Sequence, residues 1–260
     1  MSNTLESQHT PRKPSGLLTD ELELVFFHVG DDVEMPAMLV ASIKATNPRA
    51  AITQLTDLTS PIVRGVHTVH RNPITRDALM MARADAYARL KPTGALRLFI
   101  DTDMLVVNEI DANHFSEQME IYLCRRHFDR NSLVNINFRD MNMRDHAGKT
   151  LDQAWPFLGC FIATRTDKWL SRVYQTMLRF EDKYQSWYGD QTALRMLAEE
   201  EIRITGMVSE RDYAHLFDGN TSEILKLIES KQIKILHFKG SRKQHMPAVA
   251  SLLFNWTREC

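Results

Sequence analysis

The sequence predicts an α/β fold, a mostly parallel central sheet flanked by helices. Three observations carry this. The first seventy residues or so after position 20 read as strand, helix, strand and then a further strand and helix. The first two strands are almost unbroken runs of apolar residues, which suits parallel strands covered on both faces. The run "ALRLFIDTDMLVVNEI" (residues 95–110) then follows a helix and interrupts its own hydrophobicity with two carboxylates, Asp101 and Asp103. A carboxylate inside such a run is costly unless it reaches a strand end or meets a partner. In open α/β sheets the C-terminal strand ends are where ligands bind.

Each element follows in order. Residues 1–19 carry two prolines, a glycine and many polar side chains, and read as a flexible lead-in. "ELELVFFHVGDD" predicts a strand over 22–29, ended by Gly30, Asp31 and Asp32. Residues 35–45 predict a helix with Met38, Leu39, Ser42 and Ile43 on one side. "AAITQLTD" predicts a second strand ending at Asp57, and "IVRGVHTV" (62–69) a shorter third. Residues 77–90, rich in Ala, Leu, Met and Arg, predict a helix that Pro92 and Gly94 stop. Residues 96–100 are the next strand, and 119–124 another. Residues 125–156 are long, polar and irregular, and are expected to hold short strands or a substrate-facing insertion. "FLGCFIATRT" reads as a strand with Gly159 inside it. Residues 167–184 predict a helix with Trp169, Val173, Met177 and Phe180 on related turns, and 190–201 a second. "TSEILKLIES" reads as a helix capped by Thr221 or Ser222. The late strand in "IKILHFKGSRKQHMP" ends in a basic loop. No repeat and no second independent core is evident.

Bulk properties exclude some classes. The chain has 260 residues, 43% hydrophobic and 25% charged, as expected of a soluble globular protein. A net charge of -1 argues against binding nucleic acid by broad phosphate neutralisation. No apolar run is long enough to span a bilayer, and the first residues lack the apolar core of a signal peptide. Cys124, Cys160 and Cys260 show neither metal spacing nor a disulfide framework, so a reducing, cytoplasmic setting is expected.

The chemistry-bearing residues fall in two places. Asp101 and Asp103 stand at i and i+2, so on an extended segment both side chains share a face. Oxygen ligands of this kind suit Mg²⁺ or Mn²⁺, which bind one or two carboxylates together with substrate phosphates. The competing reading is a turn with two solvated acids. His237 leaves a late apolar strand, and its imidazole suits Mn²⁺. Beside it, Gly240 permits positive φ, while Lys239, Arg242 and Lys243 supply positive charge for a phosphate, or simply a solvated basic loop.

These stretches resemble the GT-A type of nucleotide-sugar glycosyltransferase, nearest the retaining galactosyltransferase and glycogenin-like group. The resemblance runs in order from about residue 22 to 246. It implies a GT-A domain over 20–260, with 20–107 as the nucleotide-binding half and 108–260 as the acceptor-side half. "FIDTDMLV" matches the Asp-x-Asp motif, so Asp101 and Asp103 are expected to chelate Mn²⁺ (or Mg²⁺) with the donor diphosphate. His237-Phe238-Lys239-Gly240-Ser241-Arg242-Lys243 matches a late His-x-x-Gly-x-x-Lys motif. It implies His237 as third metal ligand, with Lys243 and Gly240 at the phosphates. "YGDQTAL" is similar to a Gly-Asp-Gln-like segment, placing Asp190 and Gln191 by the donor sugar and reaction centre. Gly159 would let the sugar approach the backbone. "FFHVGDD" resembles the nucleobase pocket, giving Phe27, His28 and Asp31; Thr102, between the aspartates, is assigned to its ribose side. The departures are Gln244 and His245, where the family often has a proline and an aromatic residue, the early pocket loop "HVGDD", which is not a close match, and the middle region, which matches nothing.

The implied reaction moves a sugar from a nucleoside diphosphate, UDP by the resemblance, to an acceptor hydroxyl with retention. Arg83, on the helix before the Asp-x-Asp strand, is expected to reach the diphosphate, whereas Arg89 reads as solvated. Tyr184, Trp187 and Tyr188 precede Asp190 and are either an acceptor platform or core. The acceptor itself, whether glycan, protein, small glycoside or modified nucleic-acid base, is not legible. Two other classes stay open. A nucleotidyltransferase would want a Gly-rich phosphate loop near the first strand, and "HVGDDVEMP" has one glycine. A non-catalytic module that binds a nucleotide sugar or a protein would need no catalytic geometry.

Overall fold

The computed structural model describes residues 22–74, 78–138, 143–182, 185 and 187–257. The expected lead-in, Tyr184 and Cys260 lie outside the described residues. Among the described residues, ten strands form two sheets. The larger comprises β1 (Leu22–Phe27), β2 (Ala51–Thr56), β3 (Thr68–Arg71), β4 (Leu96–Ile100), β6 (Ile121–Arg125), β7 (Phe157–Thr164) and β8 (Thr205–Ser209), in the order β3-β2-β1-β4-β7-β6-β8. The smaller comprises β5 (Met104–Val106), β9 (His215–Leu216) and β10 (Ile235–His237), with β10 in the middle. In the larger sheet β7 runs antiparallel to both neighbours, and all other pairings are parallel. The C-terminal ends of the other six strands and the N-terminal end of β7 therefore share one edge.

Alternation along the strands builds the core. Leu24, Phe26, Leu98 and Ile100 bury against Leu39 and Ile43 of α1 (Glu34–Thr46). The intervening Val25 and Phe99 bury on the opposite face. There they meet Met81 and Tyr87 of α2 (Leu79–Ala88), Trp169 and Val173 of α4 (Lys168–Met177) and Leu194 of α5 (Gly189–Glu200). A third cluster joins Leu105, Phe217, Leu236 and Phe238 to α7 (Thr221–Glu229) and α8 (Met246–Phe254). Among the described residues, no helix is long and apolar enough to cross a membrane.

Several expectations shift. The third strand begins at Thr68, not at 62, because Gly65 adopts φ +96° and breaks the extended chain. Asn220 caps α7 in place of Thr221 or Ser222, its side chain accepting from the Glu223 amide. The expected basic loop is a 3₁₀ turn (Gly240–His245) that runs directly into α8. The sequence reading had no counterpart for α6 (Glu210–Tyr213), β8 or α8. Residues 125–156, expected to hold short strands or to form a mobile or substrate-facing insertion, are described except for 139–142. They hold a bridge between Leu133 and Thr150, the short α3 (Leu151–Ala154) and a small cluster of Val134, Met143, Ala154 and Trp155.

Candidate active site

The site forms at the shared strand edge. Asp101-Thr102-Asp103 is a turn, not the extended segment expected, and it carries the chain from β4 in the large sheet to β5 in the small one. The Asp101 amide donates to the Cys160 carbonyl at 3.2 Å and anchors the turn on β7. β5 pairs antiparallel with β10, with Met104 opposite His237, and the Phe238 amide donates to the Asp103 carbonyl at 2.9 Å. That register brings His237 to Asp103, which the sequence separates widely. Gly240, at φ +68°, then turns the chain into the 3₁₀ helix that returns Lys243. The Lys243 Nζ lies 3.0 Å from Asp103 Oδ2, and His237 Nε2 lies 3.4 Å from Asp103 Oδ1.

One ligand atom from each of Asp101, Asp103 and His237 lies within 4.8 Å of the others. Among the described residues the buried Asp103 Oδ1 makes no hydrogen bond, and neither does His237 Nδ1. Two carboxylates and an imidazole are a donor set for Mn²⁺ or Mg²⁺. The charge count points the same way. Three carboxyl groups, Asp101, Asp103 and Asp190, face two fixed cations, Arg83 and Lys243, which leaves a place for further positive charge in the cluster. Burial drives the Asp101 carboxyl above its ordinary pKa; Arg83 opposes this and the Asp103 carboxylate adds to it. Burial acts upward on Asp103 too, but His237 and Lys243 outweigh it and hold that carboxyl well below the usual range. These fits make the trio a divalent-metal candidate.

Arg83 projects from α2 between two acids. Its Nη1 donates to Asp101 Oδ1 at 2.8 Å and its Nη2 to Asp190 Oδ2. The expected link between Arg83 and a diphosphate therefore starts from a buried bridge to the acids. The Asp190 carboxylate is held from its other oxygen as well, Oδ1 accepting from the Gln191 amide at 2.8 Å. Gly159 on β7 lies directly against it: a Cβ there would stand 2.1 Å from Asp190 Oδ2 and 3.2 Å from Arg83 Nη2. The glycine predicted to give room to a sugar gives room to the Arg83–Asp190 pair.

The predicted nucleobase side collects at the ends of β1 and β2. His28 Nε2 meets the Gly30 carbonyl at 3.1 Å, and the Gly30 amide donates to Ser60 Oγ at 2.8 Å. Asp57 holds that loop, its Oδ1 accepting from the amides of Thr59 and Ser60. Burial lowers the His28 pKa, with Gly30, Asp32 and Asp57 opposing. Phe27 packs into the core beside Leu55, Asp31 is exposed on the loop, and Thr102 is half-buried in the turn. Trp187 and Tyr188 are half-buried with Phe138 and Trp155; Tyr188 stacks on Trp155 at 4.0 Å between centroids.

Sequence reasoning passed over Arg126, Trp155 and Glu210. Arg126 and Glu210 directly follow β6 and β8 at the same edge. Position after a strand end is the signal that finds them. Arg126 Nη2 donates to Gln191 Oε1, and Glu210 Oε2 accepts from the amides of His127 and Phe128.

No family model and no curated protein matches this sequence. Solved structures do. The galactosyltransferase LgtC, crystallised with donor and acceptor sugar analogues, superposes with a TM-score of 0.55 at 13% identity over 91% of this chain and 98% of that one. The glycosyltransferase GlyE of Streptococcus pneumoniae gives 0.53 at 14% identity, over 90% of this chain and 62% of GlyE. The bifunctional glycosyltransferase WbbM gives 0.52 at 11%, over 88% of this chain and 47% of WbbM. The chain thus has the α/β fold of these glycosyltransferases, the GT-A class expected from the motifs.

Proposed function

We propose that this protein is a glycosyltransferase that moves a hexose from a nucleoside-diphosphate sugar, UDP being the expected nucleotide, to an acceptor hydroxyl with retention. The observation that carries the reading is the convergence of Asp101, Asp103 and His237, with Lys243 alongside, at the strand edge of this fold. The similarity to a galactosyltransferase crystallised with sugar analogues supports it.

Asp101, Asp103 and His237 would hold a divalent cation, Mn²⁺ or Mg²⁺, which when bound supplies Lewis-acid stabilisation of a departing diphosphate. Lys243, half exposed and paired with Asp103, adds a positive charge beside it. The backbone turn at Gly240 presents this loop to the phosphates. Arg83 sits between Asp101 and Asp190, donates to both and sets their separation at the site. The base and ribose are assigned to the β1–β2 side, where Phe27, His28 and Asp31 border the loop that Asp57 braces. The sugar is assigned to the space bordered by Asp190 and Gln191, and the acceptor to the side of Trp187 and Tyr188.

The resemblance of the stretch from His237 to Lys243 to the late motif of retaining enzymes favours retention. In that course the leaving phosphate oxygen takes the acceptor proton on the same face, and no protein carboxylate has to act as base. Asp190, which accepts from Arg83 and from the Gln191 amide, then serves to border the sugar.

The test is incubation of the pure protein with Mn²⁺ and a panel of nucleotide sugars without acceptor, following slow nucleoside diphosphate release. A thermal-shift series with each donor and with free UDP runs beside it. Release from one donor, dependent on the metal, is expected. Binding with no release would mark a non-catalytic module. No metal-dependent shift with any nucleotide sugar or diphosphate would end the transferase reading.

A further inference from the structure

We propose that Arg126 is a positioning residue that sets the orientation of the Gln191 carboxamide, so that Gln191 meets the substrate as a hydrogen-bond donor through Nε2. The inference rests on the transferase reading above and assigns it one chemical role.

Arg126 is 4% exposed, unusual for a guanidinium. Its backbone amide donates to the Pro156 carbonyl at 2.8 Å, where β6 leaves its pairing with β7. Its Nε donates to the Trp155 carbonyl at 2.9 Å and its Nη2 to Gln191 Oε1 at 2.9 Å. Glu210, itself buried, clamps the next two residues by accepting from the amides of His127 and Phe128. The guanidinium is thus fixed from both ends before it reaches Gln191.

The Gln191 side is fixed as well. Trp155 Nε1 donates to Thr192 Oγ1 at 3.0 Å, and the Trp155 ring lies flat on Tyr188, with an interplanar angle of 6°. Tyr188, at φ +60°, immediately precedes α5. Residues on both sides of Gln191 are therefore docked on the same tryptophan.

The chemistry then decides the amide. A carboxamide has an acceptor end and a donor end that coordinates alone rarely distinguish. Arginine carries only donors, so the atom facing it has to be the carbonyl oxygen. Nε2 points away with two N–H groups, and among the described residues it makes no hydrogen bond. Gln191 follows Asp190, whose carboxylate reaches Arg83 and, through it, Asp101. A donor at this place suits an oxygen of the sugar or of the departing phosphate. The charge-assisted hydrogen bond to the carbonyl oxygen draws electron density from it and weakens it as a nucleophile toward an anomeric carbon.

The experiment is a double-mutant cycle. Wild type, Arg126→Met, Gln191→Ala and the double variant are compared for Mn²⁺-dependent UDP release from UDP-galactose, or from whichever panel donor wild type hydrolyses fastest. Arg126→Met is expected to lower kcat roughly 10- to 100-fold with donor KM nearly unchanged. In the Gln191→Ala background the same change should cost nothing further, because its effect passes through Gln191. Losses that multiply, or an unchanged kcat in Arg126→Met, overturn the inference and leave the transferase reading intact. Should Arg126→Met fail to fold, Arg126→Lys takes its place in the cycle: it keeps the charge but lacks the planar fork that spans two acceptors. No turnover by wild type with any donor overturns the transferase reading, and this inference with it.

Discussion

Gly159→Ala is the sharpest perturbation the site allows, because it adds one methyl group at a known place. The new Cβ would stand 2.1 Å from Asp190 Oδ2 and 3.0 Å from its Cγ. The carboxylate has to retreat by about 1 Å or more to reach ordinary van der Waals separation. It has little freedom to do so. Its Oδ2 is bonded to Arg83, its Oδ1 holds the Gln191 amide, and the side chain is 11% exposed. Overpacking of this kind costs about 1–3 kcal/mol. A displacement of about 1 Å next to the reacting centre is worth up to about 100-fold in turnover. Denaturant unfolding gives the first number and metal-dependent nucleoside diphosphate release the second. The discriminating arm is Asp190→Ala. With the carboxylate gone, the nearest remaining neighbour is Arg83 Nη2 at 3.2 Å, which has to give by only a few tenths of an ångström, and Gly→Ala in a strand is favourable by about 0.5–1 kcal/mol. Gly159→Ala should then be neutral or slightly stabilising. An equal stability cost in both backgrounds would refute the steric argument, as would no cost in the wild-type background.

Three further outcomes are expected. Arg83→Met leaves Asp101 and Asp190 without their shared cation; it should destabilise by about 3 kcal/mol, the low end for a broken buried pair because Asp101 keeps 31% of its side chain in solvent. Unfolding free energies measure this, and a loss under about 1 kcal/mol would contradict the bridge. Asp103→Asn should abolish the Mn²⁺-dependent rise in melting temperature with UDP, a rise that at a hundredfold excess over Kd amounts to about 2.7 kcal/mol in wild type; an undiminished shift removes Asp103 from the metal site. His28 sets a pH dependence. Its folded pKa is depressed, so the stability it contributes is present above the unfolded value of 6.5 and is lost as pH falls through the folded one. Melting curves from pH 7.5 down to 5 should fall less steeply for His28→Asn than for wild type, and parallel curves would rule out the assignment.

Much of the frame was legible along the chain. Apolar runs with period two, helical stretches and their breakers are local signals, and they placed β1, α1, β2, β4, β7 and α5 within a few residues; α4 starts where expected but ends at Met177, short of the expected 184. Asp101 and Asp103 stood out because carboxylates break an apolar run, and His237 and Lys243 because a basic stretch follows a strand. β3 was misplaced because Gly65 overrides the β-branched residues around it. β8 went unseen because Gly206 interrupts it and its Met207 faces solvent.

What the sequence by itself determined, then, is the class of fold and the residue types at its ligand-binding edge, since both arise from neighbours a few positions apart. Tertiary structure decided which of those residues meet. Arg83 and Asp190 are 107 residues apart and Arg126 and Gln191 65, and no local periodicity encodes such pairs. Gly159 is needed for Asp190, and His237 for Asp103, only because a strand register lays one beside the other. Hydrogen bonds and van der Waals contacts act over a few ångströms of space, and it is the packed sheet that turns distance along the chain into that proximity.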